Sequence, residues 1–207
     1  MAAPLMLKDK PTDQMDVLIL GMGTGTYATQ CRKYFGDMNI EGVEIDEKIT
    51  DLSRKYFSLS EDVPVTTYDG RAFLNASQKA YDVIMVDAYQ DITIPFQMSS
   101  KEFFALVKSH LKDDGVMVVN MNMRGTKEGN INQYLSDTIG SVFTTEVIVD
   151  VAGSSNRELF ASDAPDIGKN LTKHTGELTN ANLKNMMQEV ASNLTEYQKG
   201  NYILTDD

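Results

Sequence analysis

This 207-residue chain predicts an α/β fold built on a doubly wound, mostly parallel sheet, and three observations carry that reading. Short apolar runs alternate with helix-periodic segments along most of the length, as βαβ units require. The first apolar run, V-L-I-L at 17–20, opens into the glycine-rich turn G-M-G-T-G-T, and the next ends in an acidic residue, Glu44. The length suits one ordinary α/β domain over 16–207 and leaves no room for a second large one, with 1–15 reading as an irregular lead-in.

Taken in order, residues 16–20 are nearly all apolar, as expected for a parallel strand buried on both faces. A helix follows over 26–35 and a second strand over 39–45. Ile49, Leu52, Tyr56 and Phe57 share one face at helical spacing, which predicts a helix over 47–57 capped by Asp46. Residues 63–68 form the third strand, closed by Asp69-Gly70; a short helix over 71–77 leads to a fourth strand at 81–86. The connection at 87–98 is longer than the two to six residues usual between strand and helix, a common sign of function. Ser99 with Glu102 predicts a capping box for the helix carrying Phe103, Phe104, Val107 and Leu111, and Asp114-Gly115 turns into a strand at 116–121.

Beyond that point the pattern predicts a helix at 130–139 and an antiparallel edge hairpin from strands at 144–149 and 158–161. Residues 163–178 are polar and read as loop. A last helix over 180–197 aligns Leu183, Met186, Met187, Val190, Ala191 and Leu194 as a packing stripe.

The glycine turn is the chemical centre of this layout. Gly21, Gly23 and Gly25 remove β-carbons where backbone can approach a ligand before the first helix begins. Glu44 stands 23 positions after Gly21, where a carboxylate accepts hydrogen bonds from both hydroxyls of a ribose. A dinucleotide fingerprint needs glycine at the sixth position, which here is Thr26; G-x-G-x-G favours an adenosyl sulfonium over a pyrophosphate. The bland alternative is a tight turn with no ligand. Glu44, Asp69, Asp87 and Asp91 all fall at or just beyond strand ends on one sheet edge, where such folds bind ligands. Asp69 before Gly70 can accept from an exocyclic amine, or simply serve a turn. Tyr89 can set a ring face against a cation, or pack within the loop.

Composition narrows the partners. A net charge of −11, from 30 acidic and 19 basic residues, argues against nucleic acid. The lone Cys31 excludes an internal disulfide and a cysteine-built metal site, and reads as a buried structural thiol. His110 near a helix end and His174 in a polar segment show no metal-ligand neighbourhood, so no metal is expected. Arg71 reads as a ligand contact or, slightly better, a solvated first-turn residue. With no long apolar run and no signal-peptide pattern, the chain contains no membrane segment and is expected in the cytoplasm.

The runs V-L-I-L-G-M-G-T-G, V-E-I-D, Y-D-G-R-A-F-L, Y-D-V-I-M-V-D and I-P-F-Q-M-S-S-K-E-F-F, together with the terminal I-L-T-D-D, resemble the catalytic domain of spermidine synthases, the polyamine aminopropyltransferases, and most of all the spermidine synthase-like domains of membrane-fused members. The resemblance implies a Rossmann-like S-adenosylmethionine-dependent methyltransferase fold with a seven-stranded sheet. It also implies a co-substrate, S-adenosylmethionine or its decarboxylated form, an amine acceptor such as a polyamine, and a homodimer. By resemblance Gly21, Gly23 and Gly25 line the nucleoside sulfonium, Glu44 holds the ribose, Ile45 packs on adenine, Asp69 and Gly70 meet the adenine edge, and Asp87 is the catalytic aspartate.

Two positions depart from the family's pattern. Thr24 stands where aminopropyltransferases carry an aspartate that binds the donor's amine, which brings ordinary S-adenosylmethionine within reach as a donor. Asp91 falls four positions after Asp87 instead of three, within D-A-Y-Q-D. The family's N-terminal β-domain has no counterpart before Asp16. Three readings therefore stand: an aminopropyltransferase-like enzyme, a small-molecule methyltransferase, and a non-catalytic nucleoside- or polyamine-binding domain of a larger membrane protein.

Overall fold

The computed structural model describes residues 1–88, 94–122, 129–150 and 156–207. Eight strands form one sheet: β1 (Asp16–Leu20), β2 (Asn39–Glu44), β3 (Val65–Thr67), β4 (Tyr81–Val86), β5 (Leu111–Asn122), β6 (Thr145–Asp150), β7 (Asn156–Ser162) and β8 (Thr195–Glu196). Their order is β3-β2-β1-β4-β5-β7-β6-β8. The pairings among β1 to β5 are parallel, and β7 joins β5 antiparallel, followed by β6 and β8. The doubly wound α/β fold expected from the sequence is the one observed, with the short β8 added to the expected seven strands.

Period-two alternation along the strands builds two cores. Val17, Ile19, Val83 and Met85 face a layer made by α1 (Ala3–Met6), α2 (Thr26–Phe35), α7 (Ile167–Glu177) and α8 (Ala181–Asn193). Leu18, Leu20, Ile84 and Val86 face α4 (Gly70–Ala76), α5 (Lys101–Ser109) and α6 (Ile131–Gly140). Burial on both faces is why these strands read as continuous apolar runs. α3 (Glu47–Phe57) stands apart, because it buries Thr50 and Ser53 while Leu52, Tyr56 and Phe57 remain exposed. Its spacing correctly marks a helix, although the apolar side faces outward.

Several local expectations are corrected. The polar segment 163–178 contains α7, whose narrow stripe Ile167, Leu171 and Thr175 is buried. A stripe this thin suffices because α7 also serves α1: Asn170 donates to the Met6 carbonyl and His174 Nδ1 meets that of Leu5, satisfying acceptors a short helix leaves open. His174 therefore lies on a helix. The lead-in likewise contains α1, all of whose residues are buried, and a 3-10 turn at Thr12–Gln14.

The last helix stops at Asn193, since Leu194 turns extended and Thr195 and Glu196 pair with β6. Met186 in its stripe is 42% exposed. Ser100, rather than Ser99, caps α5 by accepting from the Phe103 amide, while Ser99 bonds back to the Phe96 carbonyl. Asp114-Gly115 sits inside β5, at a register shift between the Tyr81↔Leu111 and Val83↔Val116 pairs, and does not precede the strand. Cys31 is fully buried in the α2 layer.

Candidate active site at the carboxyl edge of the sheet

The ends of β1, β2, β3 and β4 meet around a crevice of about 560 Å³. Its lining includes Gly21, Gly23, Glu44, Ile45, Asp69, Gly70 and Asp87, so seven of the residues singled out in the sequence come together. Backbone geometry explains the glycines. Gly21 has φ of +89° and lies so close to the end of β4 that a β-carbon there would stand 2.6 Å from the Asp87 carbonyl oxygen. Only glycine accommodates both constraints. The turn is also anchored to β2, because the Gly21 and Met22 amides both donate to the Val43 carbonyl.

Glu44 is buried at the tip of β2. Its Oε2 accepts from the Gly23 amide at 2.9 Å and its Oε1 from the Asp46 amide at 3.2 Å, which fixes the carboxylate in orientation. A carboxylate has about four acceptor sites, so both oxygens retain capacity for ligand hydroxyls. Ile45, next in sequence, is 71% exposed at the crevice mouth, an unusual placement for isoleucine that offers an apolar surface to a flat ligand ring. Asp69 caps α4 through the Ala72 amide at 2.8 Å, so the turn role is real while the residue also lines the crevice.

Asp87 closes the far end. Burial pushes its carboxyl above the ordinary carboxylate range, against the opposing hydrogen bond donated by Asn120 Nδ2 at 3.0 Å. Asn156 in turn donates to Asn120 Oδ1 at 3.1 Å, so a relay of two amides from β7 and β5 orients the acid. Neither asparagine was singled out in the sequence. The available signal was a polar residue breaking the apolar run V-M-V-V-N at the end of β5.

Other predicted residues stand elsewhere. Thr24 is exposed, pairs with Thr26 through their hydroxyls at 2.8 Å, and is not among the lining residues. Gly25 caps α2 at φ +73° and packs against Leu59. Tyr89 and Asp91 lie outside the described residues. Conversely, Ile49, Tyr68, Pro95, Gln97 and Met98 line the crevice without having been foreseen. Arg71 is not solvated: it donates to the Gln97 carbonyl and to the Asp206 carboxylate, tying the terminal I-L-T-D-D segment to the crevice wall and holding the Asp206 carboxyl down to about 2. His110 is buried, with Nδ1 2.7 Å from the Lys79 carbonyl oxygen. Among the described residues no group of three His, Cys, Asp or Glu is arranged to hold a metal, and no helix is long and apolar enough to cross a membrane.

Chemically, one end of the crevice presents fixed acceptors for a diol and the other a buried carboxylate held by amides. The buried carboxylate is suited to orient a cation or take a proton.

Comparison with known proteins matches residues 1–152 to the spermine/spermidine synthase domain. A probable polyamine aminopropyl transferase of Bifidobacterium longum is 55% identical over 92% of this chain and 46% of its own length. The chain spans less than half the length of curated relatives it matches. Among solved structures, spermidine synthase from Thermotoga maritima superposes with a TM-score of 0.73 at 19% identity, covering 92% of this chain and 66% of that one. A spermidine synthase in complex with the transition state analogue AdoDATO gives 0.68 at 18% identity, covering 82% and 60%. At such identities the structural likeness speaks for the fold.

Proposed function

This chain belongs to the spermine/spermidine synthase domain family, and on that premise we propose that its carboxyl-edge crevice binds the nucleoside of decarboxylated S-adenosylmethionine and transfers the aminopropyl group to an amine. The observation that carries the reading is the placement of Glu44 and Asp87 at opposite ends of one crevice, with the glycine turn between them. The AdoDATO complex of a fold relative supports the choice of donor.

In this reading Glu44 takes the two ribose hydroxyls, Ile45 supports the adenine, and Asp69 with Gly70 faces its edge. The glycine turn runs beneath the sulfonium. Asp87 receives the acceptor amine, orients its lone pair toward the carbon next to sulfur, and takes the proton released as the new C–N bond forms. The C–S bond breaks and methylthioadenosine leaves. A sulfonium is already a strong electrophile, so alignment and exclusion of water supply most of the acceleration. Tyr89 and Asp91 follow Asp87 closely in sequence, and their roles toward the amine are part of the same proposal.

Thr24 motivated ordinary S-adenosylmethionine as an alternative donor, but its exposed side chain gives that alternative no structural support. Calorimetric titration of the 207-residue chain with methylthioadenosine, decarboxylated S-adenosylmethionine and S-adenosylmethionine tests the proposal. Binding of the first two with weaker binding of the third is expected, and Glu44→Gln should weaken methylthioadenosine about tenfold to a hundredfold, as loss of charge-assisted hydrogen bonds does. Failure of all three ligands to bind overturns the reading.

A further inference from the structure

The nucleoside reading leaves the terminal I-L-T-D-D segment without a role. Residues 197–206 follow β8 as a strap without regular structure, laid first along α6 and then across the start of α5. Asp137, buried within α6, accepts from the Tyr197 hydroxyl at 2.9 Å and from the Gly200 and Tyr202 amides at 2.7 and 3.3 Å. Thr138 Oγ1 takes the Leu204 amide at 3.0 Å, and the Leu204 carbonyl takes the Lys101 amide at 2.8 Å, one of the donors that the first turn of α5 leaves open. These bonds deliver Asp206 to Arg71, so its place is set by the fold and not by the ion pair alone.

Arg71 directly follows Asp69 and Gly70, which line the crevice, while neither Arg71 nor Asp206 lines it. The guanidinium joins two segments of that lining. Its Nη1 donates to the Gln97 carbonyl at 3.0 Å, and Nη1 and Nη2 together grip the Asp206 carboxylate as a bidentate pair. Asp206 acts on Arg71 most strongly, and the charges of Glu102 and Asp69 reach it as well. Glu102 is engaged, because its Oε2 accepts from the Asp206 amide at 3.2 Å. Asp69 is the crevice acid that this cation would otherwise attract. The Arg71 bond, then one from Ser100, holds the Asp206 carboxyl down to about 2, so the counter-charge is present throughout the neutral range.

We propose that Asp206 is a positioning residue for recognition of the base: by holding Arg71 against the Gln97 carbonyl it keeps this cation off Asp69, whose carboxylate is thereby left to accept from the exocyclic amine of adenine. The inference rests on the nucleoside-site reading above and adds to it a residue that sets base specificity from outside the crevice. A carboxylate gripped by a guanidinium has fewer acceptor sites left for a neutral amine, so the strap governs which purine binds and not only how firmly the wall stands.

The test titrates the 207-residue chain with methylthioadenosine and with methylthioinosine, which carries an oxygen in place of the exocyclic amine. The wild-type chain should prefer the amine by about tenfold to a hundredfold, the effect of one charge-assisted hydrogen bond. Asp206→Asn should lower that preference by about fivefold, the upper end for one partly exposed ion pair, as the freed Arg71 turns to Asp69. Asp206→Glu should keep most of the preference. Adding Arg71→Gln to Asp206→Asn should bring it back toward the wild-type value, because the competing cation is gone. Arg71→Gln alone should hold the wild-type preference, and a fall there would mean that Arg71 itself supports the base. That fall, a wild-type preference near one, a preference that Asp206→Asn leaves unchanged while both affinities drop, or a double variant no better than the single one overturns the inference and leaves the nucleoside site standing. Absence of methylthioadenosine binding overturns both.

Discussion

The two edges of the parallel sheet carry acids in similar number and treat them in opposite ways. At the amino edge, Asp16 and Asp82 share Lys112, Asp82 also accepts from Lys10 at 2.6 Å, and Glu41 meets Lys79 and the Tyr81 hydroxyl. At the carboxyl edge, Glu44, Asp69 and Asp87 form no ion pair among the described residues and are held only by backbone amides and Asn120. Acids paired with lysine are tied into the fold, whereas those at the carboxyl edge meet only neutral donors and have no counter-charge among the described residues. The contrast also explains why acidic composition alone says little about substrate.

The sharpest way to break this comparison is to remove one acid from each edge. Asp87→Asn should lower aminopropyl transfer by about a hundred- to ten-thousandfold, the usual range for losing a general base, while methylthioadenosine affinity and Tm stay near wild type. A large fall in Tm would place Asp87 with the structural acids instead.

Asp82→Ala should do the reverse, destabilising by about 2–3 kcal/mol in urea unfolding because Lys10, Lys112 and the Asp16 amide lose a buried acceptor, with turnover per folded molecule retained. Burial, the largest single influence, raises the Asp82 carboxyl, but the bonds from Lys10, Lys112 and the Asp16 amide together with the Lys112 charge outweigh it and the net displacement is downward. Its stabilisation is therefore full above the ordinary aspartate range and lost as pH falls through the lowered value. An Asp82→Ala deficit that persisted undiminished in strong acid would count against this account.

A third acid sharpens the rule by belonging to neither class. Both carboxylate oxygens of Glu146 are buried without partners among the described residues, and burial, then Asp137, with Lys199 opposing, pushes the group up to about 8. The folded state holds this proton, so the associated stability is present below about 4.5 and drains away as pH rises toward 8. Glu146→Leu should stabilise the chain by about 1–3 kcal/mol at pH 9 with a smaller gain at pH 5, read as Tm differences, and leave ligand binding unchanged. An acid without a cation marks a site only where it also opens on a crevice.

Much of the carboxyl-edge site was legible because its signals are local. Gly21 stands in a turn that must approach another backbone, Glu44 ends the next strand, and Asp69 and Asp87 each follow a predicted strand, so chain direction alone carries them to one edge. The same logic failed where the partner is distant in sequence. α7 looked like loop because its thin stripe is completed by α1, more than 160 positions away at the Asn170–Met6 bond. Thr24 sits within the right motif, yet the turn directs it outward.

The sequence by itself determined the succession of strands and helices from β1 to β7, the parallel core and the sheet edge on which Glu44, Asp69 and Asp87 gather, since periodicity, glycine turns and strand direction are properties of neighbouring residues. Tertiary structure alone decided which acids are neutralised and how Asn156 and Asn120 support Asp87. Those relations join side chains from separate strands across the sheet, and register, which sets them, is fixed by packing of the whole fold.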